Sequence, residues 1–192
     1  MPDDDASNAA SDSSRVGFLG PLGTFTEQAL LSQPDLAAAE LVPLISIRDV
    51  LNAVVRGEVD LGFVPIENAI EGTVNQTQDA LAFTHDLLIQ REVVLDVEQC
   101  LMTLPGTELA DVKIVLSIPI ATGQCRAYLD EAVPGFEARA ANSTAEAARA
   151  VSESGDRALA AIGPRVAAEL YGLAVLASDI ADHDGNQTRF VV

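Results

Sequence analysis

From Arg15 onward one alternation governs the chain: short apolar runs trade places with segments that open on a helix-capping signal. Val16–Leu19 closes on Gly20-Pro-Leu-Gly, and Thr24-Phe-Thr-Glu27 then starts a helix with capping-box spacing. Leu41–Leu44 is a second strand. Ser46-Ile-Arg-Asp49 caps a helix whose apolar face is Val50, Leu51, Val54 and Val55, with Gly57 as its stop. Leu61–Pro65 is a third strand, leading toward a helix near Val74–Phe83. The long Val-, Leu- and Ile-rich stretch Leu87–Leu104 reads as two extended segments crossing from one lobe to another. After Pro105-Gly106 the alternation returns. Strands are predicted at Lys113–Leu116, Phe136–Ala140, Ala158–Ile162 and Leu173–Leu176, with Arg189–Val192 as the last. The helices between them start at Pro119, running to about Glu131, at Ser143-Thr-Ala-Glu146, running to Gly155, and at Pro164, ending by Gly172. Such a series predicts an α/β fold with mostly parallel sheets. Two series separated by a crossing stretch predict two lobes with a cleft between them. The first is about residues 15–92 plus 179–192, which requires the last strand to return, and the second is about 93–178.

Composition narrows the classes of function. No run of about 18 apolar residues exists to span a membrane. The start, MPDDDASNAASDSS, lacks the basic and apolar parts of a signal peptide, so a cytoplasmic protein is expected. Residues 1–14 read as a flexible acidic tail. They carry four of the 29 acids, so most of the net charge of −18 belongs to the folded body. That field repels nucleic acid and anionic lipid, which excludes both as partners. Cys100 and Cys125 are 25 residues apart, and His85 and His183 stand alone, so neither a metal site nor a disulfide framework is expected.

Three loops fall at strand ends, where α/β proteins bind ligands. Gly20-Pro-Leu-Gly-Thr-Phe25 offers a tight turn and helix-start amides suited to a carboxylate, although taken alone it is better explained as an ordinary well-capped strand–turn–helix. Val64–Thr77 crowds Glu67, Asn68, Glu71, Asn75, Gln76 and Thr77 among apolar residues; a solvated loop is the alternative. Asp182–Phe190 brings Asn186, Thr188 and Arg189 to the mouth of the terminal strand, where a plain turn into an edge strand is the alternative. Asn142-Ser-Thr144 is explained by capping alone.

Taken together, Gly17-Phe-Leu-Gly-Pro-Leu-Gly-Thr-Phe25, Val64-Pro-Ile-Glu-Asn68 with Glu71-Gly72, Asn142-Ser-Thr-Ala-Glu146, Ala168-Glu-Leu-Tyr-Gly172 and Asn186-Gln-Thr-Arg-Phe190 resemble, in order, the motifs of the prephenate dehydratase family. The resemblance implies a two-lobed catalytic unit similar to type II periplasmic binding proteins, with its active site in the interlobe cleft. It implies a carbon–oxygen lyase that converts prephenate to phenylpyruvate, water and CO2 for phenylalanine biosynthesis, without metal, flavin or nicotinamide, and assembled as a homo-oligomer. By its Thr-Arg-Phe motif, Thr188 is expected to act on the leaving hydroxyl. Thr24, Phe25, Asn68, Asn142, Ser143, Thr144, Arg189 and Phe190 are expected to bind substrate, with Glu67 and Gly72 in support.

Departures from the family pattern are Ala69, where Ser is usual, and Ile118, where a Ser-His-Pro run is common. The ACT regulatory domain that normally follows the Thr-Arg-Phe strand has no counterpart before the sequence stops at Val192, so phenylalanine feedback is not expected of these residues. Two other readings stay open: a related lyase that decarboxylates prephenate without aromatising it, and a non-catalytic module that binds small acids.

Overall fold

The computed structural model describes residues 14–192; apart from Ser14, the expected acidic tail lies outside them. The first sheet begins with three strands, β1 (Arg15–Leu19), β2 (Glu40–Leu44) and β3 (Leu61–Asn68), joined through helices α1 (Phe25–Leu31), α2 (Pro34–Ala37) and α3 (Ile47–Val55). Both β2 and β3 run parallel to β1, as strands joined through covering helices do. The capping signals do what their spacing predicts: Thr24 and Ser46 each accept the backbone N–H three residues on, from Glu27 and Asp49. Period-two alternation along β3 sends Phe63 to the α1 face, among Val16, Phe18 and Leu30, and Val64 to the α3 face, among Val50 and Leu51. α3 lies so close that a Cβ on Gly62 would meet Val54 Cγ2 at 2.9 Å.

After a two-residue strand β4 (Gly72–Thr73) comes α4 (Asn75–Asp79), which passes into a π-helical turn at Ala80–Thr84, so the helix expected near Val74–Phe83 is wider than α in its second half. The crossing stretch is β5 (Glu92–Asp96) and β6 (Cys100–Thr103). β5 still belongs to the first sheet, so that lobe extends to Asp96 rather than to residue 92.

The second sheet holds β6, β7 (Ile114–Ser117), β8 (Glu137–Ala140), β9 (Leu159–Gly163) and β10 (Ala174–Ala177), in the order β10-β6-β9-β7-β8. Helices α5 (Pro119–Gln124) and α6 (Arg126–Ala132) cover one face through Ala121, Cys125 and Leu129. The other face is covered by α7 (Thr144–Ser154) and α8 (Arg165–Tyr171) through Ala147, Ala148, Val151, Ala167 and Ala168. The single helix expected from Pro119 is interrupted at Cys125.

The last strand, β11 (Gln187–Val191), returns to the first sheet between β3 and β5, as expected. It pairs antiparallel with both. β6 likewise pairs antiparallel with β9 and β10. The sheets are therefore mixed rather than mostly parallel. The physical reason is that β5, β6 and β11 are strands that cross between lobes, and a crossing strand needs no covering helix to reverse direction.

Candidate active site

The pairing of β11 with β3 builds the centre of the site. Thr188 lies opposite Asn68 and Arg189 opposite Glu67, but Phe190 is already opposite Pro65, so Ile66 is an extra residue bulged out of β3. Without the bulge, Asn68 would share the α3 face with Val64 and Ile66. The inserted residue reverses the parity beyond it and turns Asn68 toward Thr188. Asn68 Nδ2 then donates to Thr188 Oγ1 at 2.9 Å and to Asn186 Oδ1 at 2.9 Å. Its Oδ1 accepts the backbone N–H groups of Ile70 and Glu71, each at 2.9 Å. Those two donors fix which end of the amide is oxygen. Thr188 Oγ1 is thereby an acceptor from Asn68, and its own O–H remains to donate elsewhere.

The network continues into the other lobe. Asn186, 5% exposed, donates from Nδ2 to Gln124 Oε1 at 3.3 Å, and the buried Gln99 donates from Nε2 to the same oxygen at 3.5 Å. Gln99 lies on the crossing segment between β5 and β6, and Gln124 ends α5. A run of amides therefore ties Thr188 to both lobes across the hinge.

Around these groups the interlobe cleft forms two adjoining compartments. The deep one, about 130 Å³, is lined by Asn68, Gln99, Gln124, Asn186 and Thr188, with Val97 and Ile120 among its apolar walls. The outer one, about 730 Å³, is lined by Thr24, Asn142, Ser143, Arg149 and Tyr171 among others. Phe25, Ile118 and Thr144 line both. The N-terminus of α7 faces this space. Ser143 Oγ accepts from Glu146 N at 3.0 Å, and the Glu146 carboxylate accepts from Asn142 N at 3.0 Å. The first-turn amides of Thr144 and Ala145 have no acceptor within the helix, as at any helix start. A Cβ on Gly163 would meet Thr144 Cβ at 2.9 Å, so that glycine at the end of β9 lets α7 sit close to the sheet. On the facing lobe, Gly23 has φ +81° and an added Cβ would touch Leu170, Tyr171 and Ala145, so the Gly20–Phe25 turn packs directly on the second lobe.

Thr24, Phe25, Asn68, Asn142, Ser143, Thr144 and Thr188 are thus brought together in the cleft. Arg189 and Phe190 are not. Successive residues of a strand point to opposite faces, so Arg189 is directed away from Thr188. Its guanidinium pairs with Glu67 at 3.4 Å and Glu92 at 3.3 Å. Phe190 shares the face of Thr188 but lies deeper, 1% exposed in the core of the first lobe, with its ring stacked 5.2 Å from that of Phe63. Glu67 braces Arg189 on the outer face, and Gly72, at φ +82° opposite Asn68, makes the turn into β4. Of the two departures, Ala69 is exposed and outside the cleft, whereas Ile118 lines both compartments.

Sequence reasoning missed Gln99, Gln124 and Arg149 as lining residues. A signal existed for two of them. Gln99 is a polar residue inside an otherwise apolar crossing stretch, and Arg149 is one of only eleven bases, on the helix that Ser143 caps. Among the described residues Arg149 is the one basic side chain lining either compartment. The two thiols are free and buried; burial, with the Asp182 charge adding to it, pushes Cys125 up to about 12. Among the described residues no three His, Cys, Asp or Glu side chains converge as a metal-ligand set, and no helix is long and apolar enough to cross a membrane.

Comparison with known proteins gives the same outline. Residues 16–192 match the family model described as prephenate dehydratase. A curated prephenate dehydratase from Mycolicibacterium gilvum is 40% identical over 187 residues, covering 92% of this chain and 60% of that protein. The solved prephenate dehydratase of Arthrobacter aurescens, in complex with L-Phe, is 41% identical with a TM-score of 0.84, over 92% of this chain and 59% of that one. A solved structure described as a novel type of quorum quenching acylase is 29% identical with a TM-score of 0.80, covering 92% of this chain and 62% of its own. The chain spans about three fifths of the length of the curated relatives it matches.

Proposed function

Since this chain belongs to the prephenate dehydratase family, we propose that its cleft binds prephenate and releases phenylpyruvate, water and CO2. The observation that carries the proposal is the Thr188 hydroxyl, whose oxygen is occupied by the Asn68 amide so that its hydrogen is left for a ligand in the deep compartment. In the reaction, the bond from the ring to its carboxylate breaks, the electron pair passes through the ring diene, and the bond to the ring hydroxyl breaks. The departing hydroxide takes a proton from solvent and leaves as water. A Thr hydroxyl is too weak an acid to give up its proton outright, so Thr188 acts as a hydrogen-bond donor to the oxygen as charge develops on it. Thr188 is the catalytic residue, and Asn68 positions it.

The substrate is a dianion entering a protein of net charge −18, so local positive potential must be supplied. Arg149 and the first-turn amides of α7 supply it in the outer compartment, where Asn142, Ser143 and Thr144 also offer polar contacts. Thr24 and Phe25 close the opposite wall. This assigns the carboxylate-binding role to Arg149 in place of Arg189. On this reading the protein works in the cytoplasm on a small-molecule substrate, as a homo-oligomer. An acyl-transfer reading would need a nucleophile held by a base, and Thr188 is held by an amide that donates to it, so the donor role fits better.

The test is phenylpyruvate formation from prephenate, followed by its absorbance in alkali, with this chain and with Thr188→Ala. Activity in the first and a loss of two or more orders of magnitude in the second support the proposal. Consumption of prephenate without phenylpyruvate would instead indicate the non-aromatising lyase, and saturable binding without turnover the small-acid module.

A further inference from the structure

Gln99 is 3% exposed, lines the deep compartment, and has a side-chain oxygen with no hydrogen-bond partner among the described residues. Burying a carbonyl without a donor costs stability, and a folded protein that keeps one has a use for it. The orientation of this amide is not a free choice. The backbone N–H groups of Ile70 and Glu71 hold Asn68 Oδ1, which presents Asn68 Nδ2 to Asn186 Oδ1. Asn186 then presents Nδ2 to Gln124 Oε1 at 3.3 Å, and Gln99 presents Nε2 to that same oxygen at 3.5 Å, the longest link. Each amide sets the next, and the chain ends on Gln99 Oε1 as an obligate acceptor. At its other end the same Asn68 amide makes Thr188 an obligate donor to the cleft. The compartment therefore has one fixed donor, Thr188, and one unpartnered acceptor, Gln99 Oε1, buried in its wall.

Prephenate at neutral pH has two carboxylates and a ketone, all of which only accept, and one donor, the ring hydroxyl. We infer that Gln99 is a substrate-contacting residue whose Oε1 accepts the hydrogen of that ring hydroxyl, turning the hydroxyl oxygen's lone pairs toward the Thr188 donor. The inference rests on the dehydratase reading and deepens it. Gln99 selects the group that leaves, and it holds the hydroxyl in the rotamer from which departure is assisted.

Gln99→Met keeps the length and removes the acceptor. Phenylpyruvate lacks both the ring hydroxyl and the ring carboxylate, so it probes the part of the site that holds the ring and the pyruvyl side chain, away from Gln99. The wild-type chain and Gln99→Met are compared for kcat and KM with prephenate, for competitive inhibition by phenylpyruvate, and for Tm. The expected result is a fall in kcat/KM for prephenate of about ten- to a hundred-fold, with phenylpyruvate inhibition within two-fold of wild type and Tm equal or higher. A higher Tm with lower turnover marks a group kept for a ligand; a purely structural amide would lower both. Equal weakening of prephenate and phenylpyruvate, or kcat/KM within two-fold of wild type, overturns the inference while leaving the dehydratase reading intact. If Gln99→Met does not fold, Gln99→Glu keeps an acceptor in place. It should retain the wild-type ratio of prephenate KM to phenylpyruvate inhibition constant although its charge weakens both, and a lost ratio overturns the inference. A wild-type chain that neither binds nor converts prephenate overturns both readings.

Discussion

Replacing Asn68 with Asp changes one NH2 group to an oxygen, with consequences that the hydrogen bonds around it define. The retained Oδ1 still accepts from Ile70 and Glu71 at 2.9 Å. The new oxygen faces the three acceptors near Asn68 Nδ2, Thr188 Oγ1 and Asn186 Oδ1 at 2.9 Å and the Gln187 backbone carbonyl at 3.2 Å. Thr188 relieves its conflict by rotating its O–H onto the carboxylate, a stronger charge-assisted bond, and so withdraws it from the cleft. Asn186 can turn its amide over only by setting its Oδ1 against Gln124 Oε1, and the Gln187 carbonyl cannot turn, so the fold loses some stability. Removing one preorganised donor from a developing oxyanion costs about 2.7–4 kcal/mol, or roughly 10²–10³ in kcat. The account therefore predicts a kcat lowered to that extent, with Tm lowered by a few degrees. It also predicts a pH signature. Protonating the introduced carboxylate restores a donor toward Thr188, so the variant's kcat should rise as pH falls toward the carboxyl's own range, relative to wild type. The assay is phenylpyruvate formation at saturating prephenate across pH, with thermal melting in parallel. An Asn68→Asp variant within three-fold of wild-type kcat at pH 7.5 would refute the assignment of Thr188 as a donor oriented by Asn68.

Arg149→Gln should raise KM for prephenate about ten-fold, the scale of one charged hydrogen bond discounted for exposure, with little change in kcat; an unchanged KM contradicts its role. Arg189→Ala should leave KM unchanged and shift stability by no more than about 1 kcal/mol, because its ion pairs are half exposed on the outer face of the sheet. Phe190→Ala, by contrast, should cost about 3–5 kcal/mol of stability by opening a cavity beside Phe63, read by denaturant melts. Cys125, pushed up to about 12, should resist alkylation of the native protein at pH 8, where about one thiol in 10⁴ is ionised, and react once the chain is unfolded.

Helix starts and the strand series were legible because they depend on local chemistry. Ser46, Ser143 and Thr24 cap as their spacing predicts. The site was legible only where a motif marked it. Placing Thr188, Arg189 and Phe190 together on one surface overlooked the alternation of a strand, which allows only every second residue to face a cleft. The parity of Asn68 was out of reach, because the bulge at Ile66 is set by pairing with a strand some 120 residues away. Mixed sheets were likewise hidden: the crossing stretch Leu87–Leu104 was legible, but the direction in which its strands pair is set by partners far off in sequence. Gln99 escaped notice for a related reason: its value comes from an amide chain assembled by Asn68, Asn186 and Gln124, no two of them neighbours in sequence.

The central claim is that the Thr188 hydroxyl hydrogen, aimed by Asn68, assists departure of the substrate's ring hydroxyl. Its most direct test is kcat for Thr188→Ser and Thr188→Val measured side by side with wild type. Ser keeps the donor and should retain turnover within about ten-fold, while Val keeps the shape without the hydrogen and should lose roughly 10²-fold or more. Equal turnover in the Val and Ser variants would contradict the account.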